Sequence, residues 1–202
     1  MNQVIDLDRE EQTVTVQPGI RAVELSNYLH SEGFAIPNMP DYTGVSIAGG
    51  ISTSAHHSSL RHPSSMADMV VAMSIVDGQG ILRQLEGKEI QSAAVHLGML
   101  GVVVRITLKV EPQFKLQYGY TKGSDDGLSQ QVESMVREHD YARIMWFAGI
   151  GQYILDYYDR VDVEQRGTSK HNVWSSTGSI FRFIGDLPYR VLNRSPLAVQ
   201  CK

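Results

Sequence analysis

The sequence predicts an α+β chain built as two successive units, and three observations lead there. Apolar and polar residues alternate with a period of two at 4–8 and 13–16, and apolar, β-branched runs at 69–76 and 102–110 mark further strands. Helical spacings interrupt those runs at 20–31, 88–97 and 129–138. The composition also changes after Gln113, where a strand, helix, strand, strand order begins. With 202 residues, 42% of them hydrophobic and 20% charged, the chain can bury one core and part of another.

Val4-Ile5-Asp6-Leu7-Asp8 and Thr13-Val14-Thr15-Val16 flank the polar Arg9-Glu10-Glu11, which predicts a hairpin with one buried face, ended by Pro18-Gly19. Residues 20–31 place Ala22, Val23, Leu25 and Leu29 at helical spacing, and Gly33 supplies the left-handed residue that closes such a helix. Residues 39–65 are aperiodic and rich in Gly, Ser, Thr, His and Pro. Ile47, Ala48, Ile51 and Ala55 nevertheless offer buried positions, so an ordered segment is expected there. Residues 69–76 and 80–85 read as strands around a tight Asp77-Gly78 turn. Residues 88–97 read as a short helix that Gly98 and Gly101 interrupt. Val102 to Val110 is rich in β-branched residues and predicts a central strand, ended by Glu111-Pro112. Beyond Gln113, strands at 115–120, 142–147 and 153–158 and a helix at 129–138 are expected, and nothing definite from Glu164 onward.

Eighteen Lys plus Arg against twenty-two Asp plus Glu give a net charge of -4, with no basic block; that argues against a nucleic-acid partner. The single cysteine, Cys201, has no second thiol to pair with inside the chain. Residues 1–11 lack the pattern of a secretory signal, and no run is long and apolar enough to span a bilayer. The stretch 179–192 is interrupted by Arg182, Asp186, Pro188 and Arg190, an amphipathic character compatible with a peripheral membrane contact.

Chemistry concentrates between Asp41 and Ser59, where nineteen positions hold seven Ser or Thr hydroxyls, the adjacent Gly49 and Gly50, and the imidazoles of His56 and His57. Glycine lets a backbone approach a ligand closely, and consecutive free N–H groups with hydroxyls suit phosphate oxygens or the polar edge of a flavin. The same composition also makes ordinary loops. No Gly-Lys-Ser/Thr follows, and no G-x-G-x-x-G is present. Ser46 and Ser52 fail as hydrolase nucleophiles, because Ala48 and Ser54 stand where the elbow requires its second glycine. A metal reading of His56, His57 and His62 meets the obstacle that adjacent residues on an extended chain point to opposite faces. Gly98 and Gly101 precede the Val102 strand, where a close backbone passage and a simple helix cap are both open readings. Trp146, Phe147, Tyr157 and Tyr158 read as strand packing positions.

Taken in order, Thr13-Val-Thr-Val-Gln-Pro-Gly19, Val45-Ser-Ile-Ala-Gly-Gly-Ile-Ser-Thr-Ser-Ala-His56 and Ala94-Val-His-Leu-Gly-Met-Leu-Gly-Val-Val103 resemble the FAD-binding (PCMH-type) domain of the vanillyl-alcohol oxidase superfamily, in its L-gulonolactone and D-arabinono-1,4-lactone oxidase branch. Arg143-Ile-Met-Trp-Phe147 resembles the opening of that branch's cap domain, so the resemblance runs from about residue 3 to about 160. It implies a second subdomain of the FAD domain over 1–112, followed by the start of an α+β cap, or substrate, domain over 113–202. It implies FAD as cofactor and a sugar lactone or alditol as substrate, oxidised at a CH–OH group with oxygen as acceptor, and it admits a membrane association. It assigns the flavin lining to Asp41, Ser46, Gly49, Gly50, Ser52, His56 and Ser58, with Val102 and Val103 against the ring or the adenosine side. His57, Ser59 and Pro63 depart from a Gly or small polar residue frequent in the family. The family's Gly-Gly-Gly-His-Ser type loop has no counterpart in these residues, and its catalytic residues map beyond Lys202, so no catalytic residue is assigned. The expectation is therefore a truncated oxidase, with an inactive FAD-binding module or a fragment that needs a missing half as the alternative.

Overall fold

The computed structural model describes residues 1–167, which divide into two units: 1–57 with 62–113, and 58–61 with the chain from Phe114 onward. The amphipathic stretch 179–192 and Cys201 lie outside the described residues. Among those described, no helix is long and apolar enough to cross a membrane.

The first unit runs β1 (Val4–Asp8), β2 (Thr13–Val16), α1 (Ala22–Ser31), β3 (Phe34–Ala35), α2 (Ile47–Ser52), β4 (Val70–Val76), β5 (Leu82–Glu86), α3 (Lys88–Ala93), β6 (Val102–Lys109) and β7 (Glu111–Pro112). Five strands make an antiparallel sheet in the order β1-β2-β6-β4-β5, so the Val102 strand is central as expected. Val14 and Val16 of β2 and Ile106 and Leu108 of β6 point from one sheet face into a core shared with Leu25 and Leu29 of α1 and Ile47 and Ile51 of α2. Thr15 and Thr107 join their hydroxyls at 2.9 Å across the opposite, wetter face. The pairing of β6 with β4 slips between Ser74 and Ile75, leaving Val104 as an extra residue; this bulge keeps both Val103 and Ile106 buried although they are three positions apart.

Several expectations need correcting. The Asp77-Gly78 turn is wider than two residues: Asp77 Oδ1 accepts the N–H groups of Gln79 and Ile81 at 2.9 Å each, and the returning strand begins at Leu82. The helix expected to reach Leu97 stops at Ala93, and Glu111-Pro112 pairs with Phe34-Ala35 as well as ending the sheet strand. Helix α2 was not expected, since Gly49-Gly50 is a poor helix former.

The second unit contains β8 (Lys115–Ser124), α4 (Leu128–Arg137), β9 (Tyr141–Phe147) and β10 (Gln152–Val161), the anticipated order. Its antiparallel sheet is ordered β8-β10-β9. Asp156 is buried on β10, where it accepts the Tyr118 hydroxyl at 2.9 Å and pairs with Arg143 at 3.0 Å. A segment far away in sequence completes this unit: Ser58 O accepts Ala142 N–H at 3.1 Å, and the Ser59 hydroxyl donates to Asp140 O at 2.6 Å. Trp146 is 64% exposed and donates its indole N–H to Asp125 at 2.8 Å, so it is not a packed core position.

Candidate functional site

The segment richest in chemistry folds around α2. Ser46 is its N-cap, with Oγ accepting Gly49 N–H at 3.2 Å. Ile47 N–H donates to Ile20 O at 2.8 Å, Ala48 N–H to Pro18 O at 3.1 Å and Gly50 N–H to Ser46 O at 2.8 Å. The four leading amides of the helix are thus all bound inside the chain. The Ser52 and Thr53 hydroxyls both turn back onto Gly49 O, at 3.1 and 2.9 Å. Gly50 is present for packing: a Cβ there would lie 2.5 Å from Met66 Sδ.

Asp41 stands 3.6 Å from His57 Nε2, an imidazole that is 7% exposed. His56 is exposed; its backbone bridges to Ser65, and its side chain makes no hydrogen bond among the described residues. Pro63 has its carbonyl taken by the Asn38 amide. Ser58 belongs to the second unit. Val102 is 64% exposed whereas Val103 is buried in the core, so one ligand could meet the side chain of the first only. Among the predicted residues, the fold gathers Ser46, Gly49, Gly50 and Ser52 around α2.

The loop from Ala94 to Gly101 adds a feature that the residue types alone did not single out. Leu97 N–H donates to Ser52 O at 3.1 Å, which ties the loop to the end of α2. Leu97 and Gly98 both have positive φ, +51° and +77°; for a leucine this costs on the order of 1 kcal/mol. Gly101 has φ +133°, and a side chain there would overlap the Val76 carbonyl, so the close passage holds. Val95, Leu97, Met99, Leu100 and Val102 are all exposed, and no charged residue occurs from Ala93 to Val104. In the same run His96 is 8% exposed, with Nδ1 accepting Gly98 N–H at 3.0 Å and Nε2 buried without a hydrogen-bond partner among the described residues. Burial pushes the imidazole below its usual pKa. The signal that could have found it was a lone histidine inside an uncharged, glycine-punctuated run.

These residues can be tested against a flavin dinucleotide. A pyrophosphate needs cations or unclaimed amides, and the α2 amides are claimed. A flat ring needs apolar contact and a few placed donors, and the loop supplies both in Leu97, Met99, Val102 and the His96 Nε2 atom. The α2 amides thus do not suit the phosphates, and the loop suits a flat ring.

Comparison with known proteins agrees in class. Residues 1–86 match a family model described as FAD binding domain, and residues 106–187 match one described as D-arabinono-1,4-lactone oxidase. L-gulonolactone oxidase of Mus musculus is 28% identical over 173 residues, covering 84% of this chain and 39% of that protein. Probable L-gulonolactone oxidase 6 of Arabidopsis thaliana is 31% identical over 178 residues, covering 83% of this chain and 30% of that protein. These matches define an FAD-linked oxidoreductase class. The chain belongs to the FAD-linked aldonolactone oxidase family, and it spans between 30% and 39% of the length of these two relatives.

Proposed function

We propose that this chain forms the flavin-ring side of an FAD-dependent oxidase that converts the CH–OH group of a sugar lactone or alditol to a carbonyl with oxygen as acceptor. Residues 1–112 are then the second subdomain of the FAD domain and 113–202 the opening of the cap domain. The observation that carries this reading is the uncharged run 93–104, with exposed apolar side chains around a buried imidazole donor, in a chain with both family matches. FAD, when bound, supplies the acceptor for the hydride that leaves the carbinol carbon, and oxygen takes the electrons afterwards. The chain's share is binding and orientation: Leu97, Met99 and Val102 cover apolar ring surface and exclude water, while Ser46, Gly49, Gly50 and Ser52 hold the α2 backbone in place beneath the loop. Asp41, His56 and Ser58 remain cofactor-lining candidates by resemblance, and Val103 through its backbone alone. No acid or base is assigned among them.

The test mixes purified chain with FAD, removes free flavin and records the visible spectrum. Retained flavin absorption, bleached under anaerobic conditions by L-gulono-1,4-lactone or D-arabinono-1,4-lactone, is the expected result for the full proposal. Retained flavin without bleaching by either lactone or by an alditol favours an inactive binding module, and a colourless protein removes the cofactor reading.

A further inference from the structure

We infer that His96 is a cofactor-recognition residue, whose Nε2–H donates to an uncharged acceptor, a carbonyl oxygen or ring nitrogen, on the isoalloxazine ring of FAD; the inference rests on the functional reading above. Three facts about the residue converge. Gly98 donates its N–H to Nδ1, so Nδ1 is unprotonated and the neutral ring carries its proton on Nε2. Burial favours this neutral form over the cation. Nε2 is then a buried donor with no acceptor among the described residues, an arrangement that native structures seldom leave unused.

The neighbourhood selects the acceptor. A phosphate would bring negative charge beside a neutral imidazole in a run without Lys or Arg from Ala93 to Val104, and burying such a charge without a counter-ion is strongly unfavourable. A flat heteroaromatic ring has the opposite balance, with large apolar faces for Leu97, Met99 and Val102 and an edge acceptor for one N–H. The left-handed Leu97 and Gly98 form the turn that brings the Gly98 amide to Nδ1, so the unfavourable backbone at Leu97 serves to fix the tautomer.

Two variants separate the donor from the fold. His96→Asn keeps a side-chain oxygen that can accept Gly98 N–H across two residues and removes the Nε2 donor; His96→Gln places an amide N–H near the Nε2 position. Titrations of the chain with FAD, riboflavin and AMP, read by flavin fluorescence or calorimetry, are expected to show FAD binding about tenfold weaker in His96→Asn and within about threefold of the original in His96→Gln. A parallel loss for riboflavin is expected from an acceptor on the isoalloxazine; a loss for AMP without one for riboflavin places the acceptor on the adenine and overturns the assignment together with the flavin-ring reading. In the unsubstituted chain the Nε2–H resonance should move downfield and become protected from exchange when FAD is added. FAD binding by His96→Asn equal to that of the original chain, or an unmoved Nε2–H resonance in a chain that does bind FAD, overturns the assignment to His96 and leaves the functional reading standing. An original chain that binds no FAD overturns both.

Discussion

Gly101 and His96 show how single positions on the candidate loop are constrained for different reasons. At φ +133°, with the Val76 carbonyl where a Cβ would go, Gly101 has both a backbone and a steric reason to be glycine. Gly101→Ala is expected to destabilise the chain by about 2 kcal/mol or more, measured as a shift of the urea midpoint at unchanged slope. Ser46→Ala removes the cap of α2, at an expected cost of about 1 kcal/mol in the same experiment. His96 carries a pH dependence of known sign. Its folded pKa is depressed, so its contribution to stability is fully present above the ordinary value near 6.5 and is lost as pH falls toward the folded pKa. Melting temperature should therefore fall as pH drops below about 6.5 in the original chain, and His96→Asn should flatten that part of the profile.

Elements differ in how much of their geometry their own residues reveal. Strand β2 was legible because its period-two alternation coincides with one buried face; β1 buries no residue, and the strands of the second unit form without such alternation, adjacent Tyr141 and Ala142 and adjacent Leu155 and Asp156 both being buried. Helix α2 was not legible, because six residues containing Gly49-Gly50 owe their helix to a cap, to Ile20 and Pro18 carbonyls and to contact with Met66, all supplied from outside the segment. The incorporation of Ser58 into the second unit was invisible for the same reason: it rests on Ala142, more than eighty positions away. Resemblance found the α2 residues as a cofactor segment, yet composition suggested free amides that the fold has already used. The turn after β4 was partly legible, since Asp77 was recognised but its reach was not. Hydrogen bonding by Arg83, together with the Ile81 and Gln79 amides, holds the Asp77 carboxyl below its usual range. The turn should thus be ordered above about pH 4 and loosen as pH falls through the folded pKa; amide exchange of Gln79 and Ile81 should rise there, and Asp77→Ala should show the same fast exchange at neutral pH.

At the scale of the whole molecule, a five-stranded antiparallel sheet with its helices is followed by a three-stranded sheet with one helix, and the two family matches fall mainly on the first and on the second. The α+β class was legible from the strand and helix patterns, and the family from the resemblance carried by blocks such as Val45–His56. The division of labour within the cofactor was not, because it depends on which amides the folded chain consumes. The central claim is that this chain holds the ring of a flavin and contributes little to its phosphates. Parallel titrations with FAD and riboflavin, read by flavin fluorescence, test it most directly. Dissociation constants within about threefold of each other are expected, because the pyrophosphate finds no unclaimed donors around α2. Tight binding of FAD with no measurable binding of riboflavin would place the affinity on the phosphates or the adenosine and contradict the account.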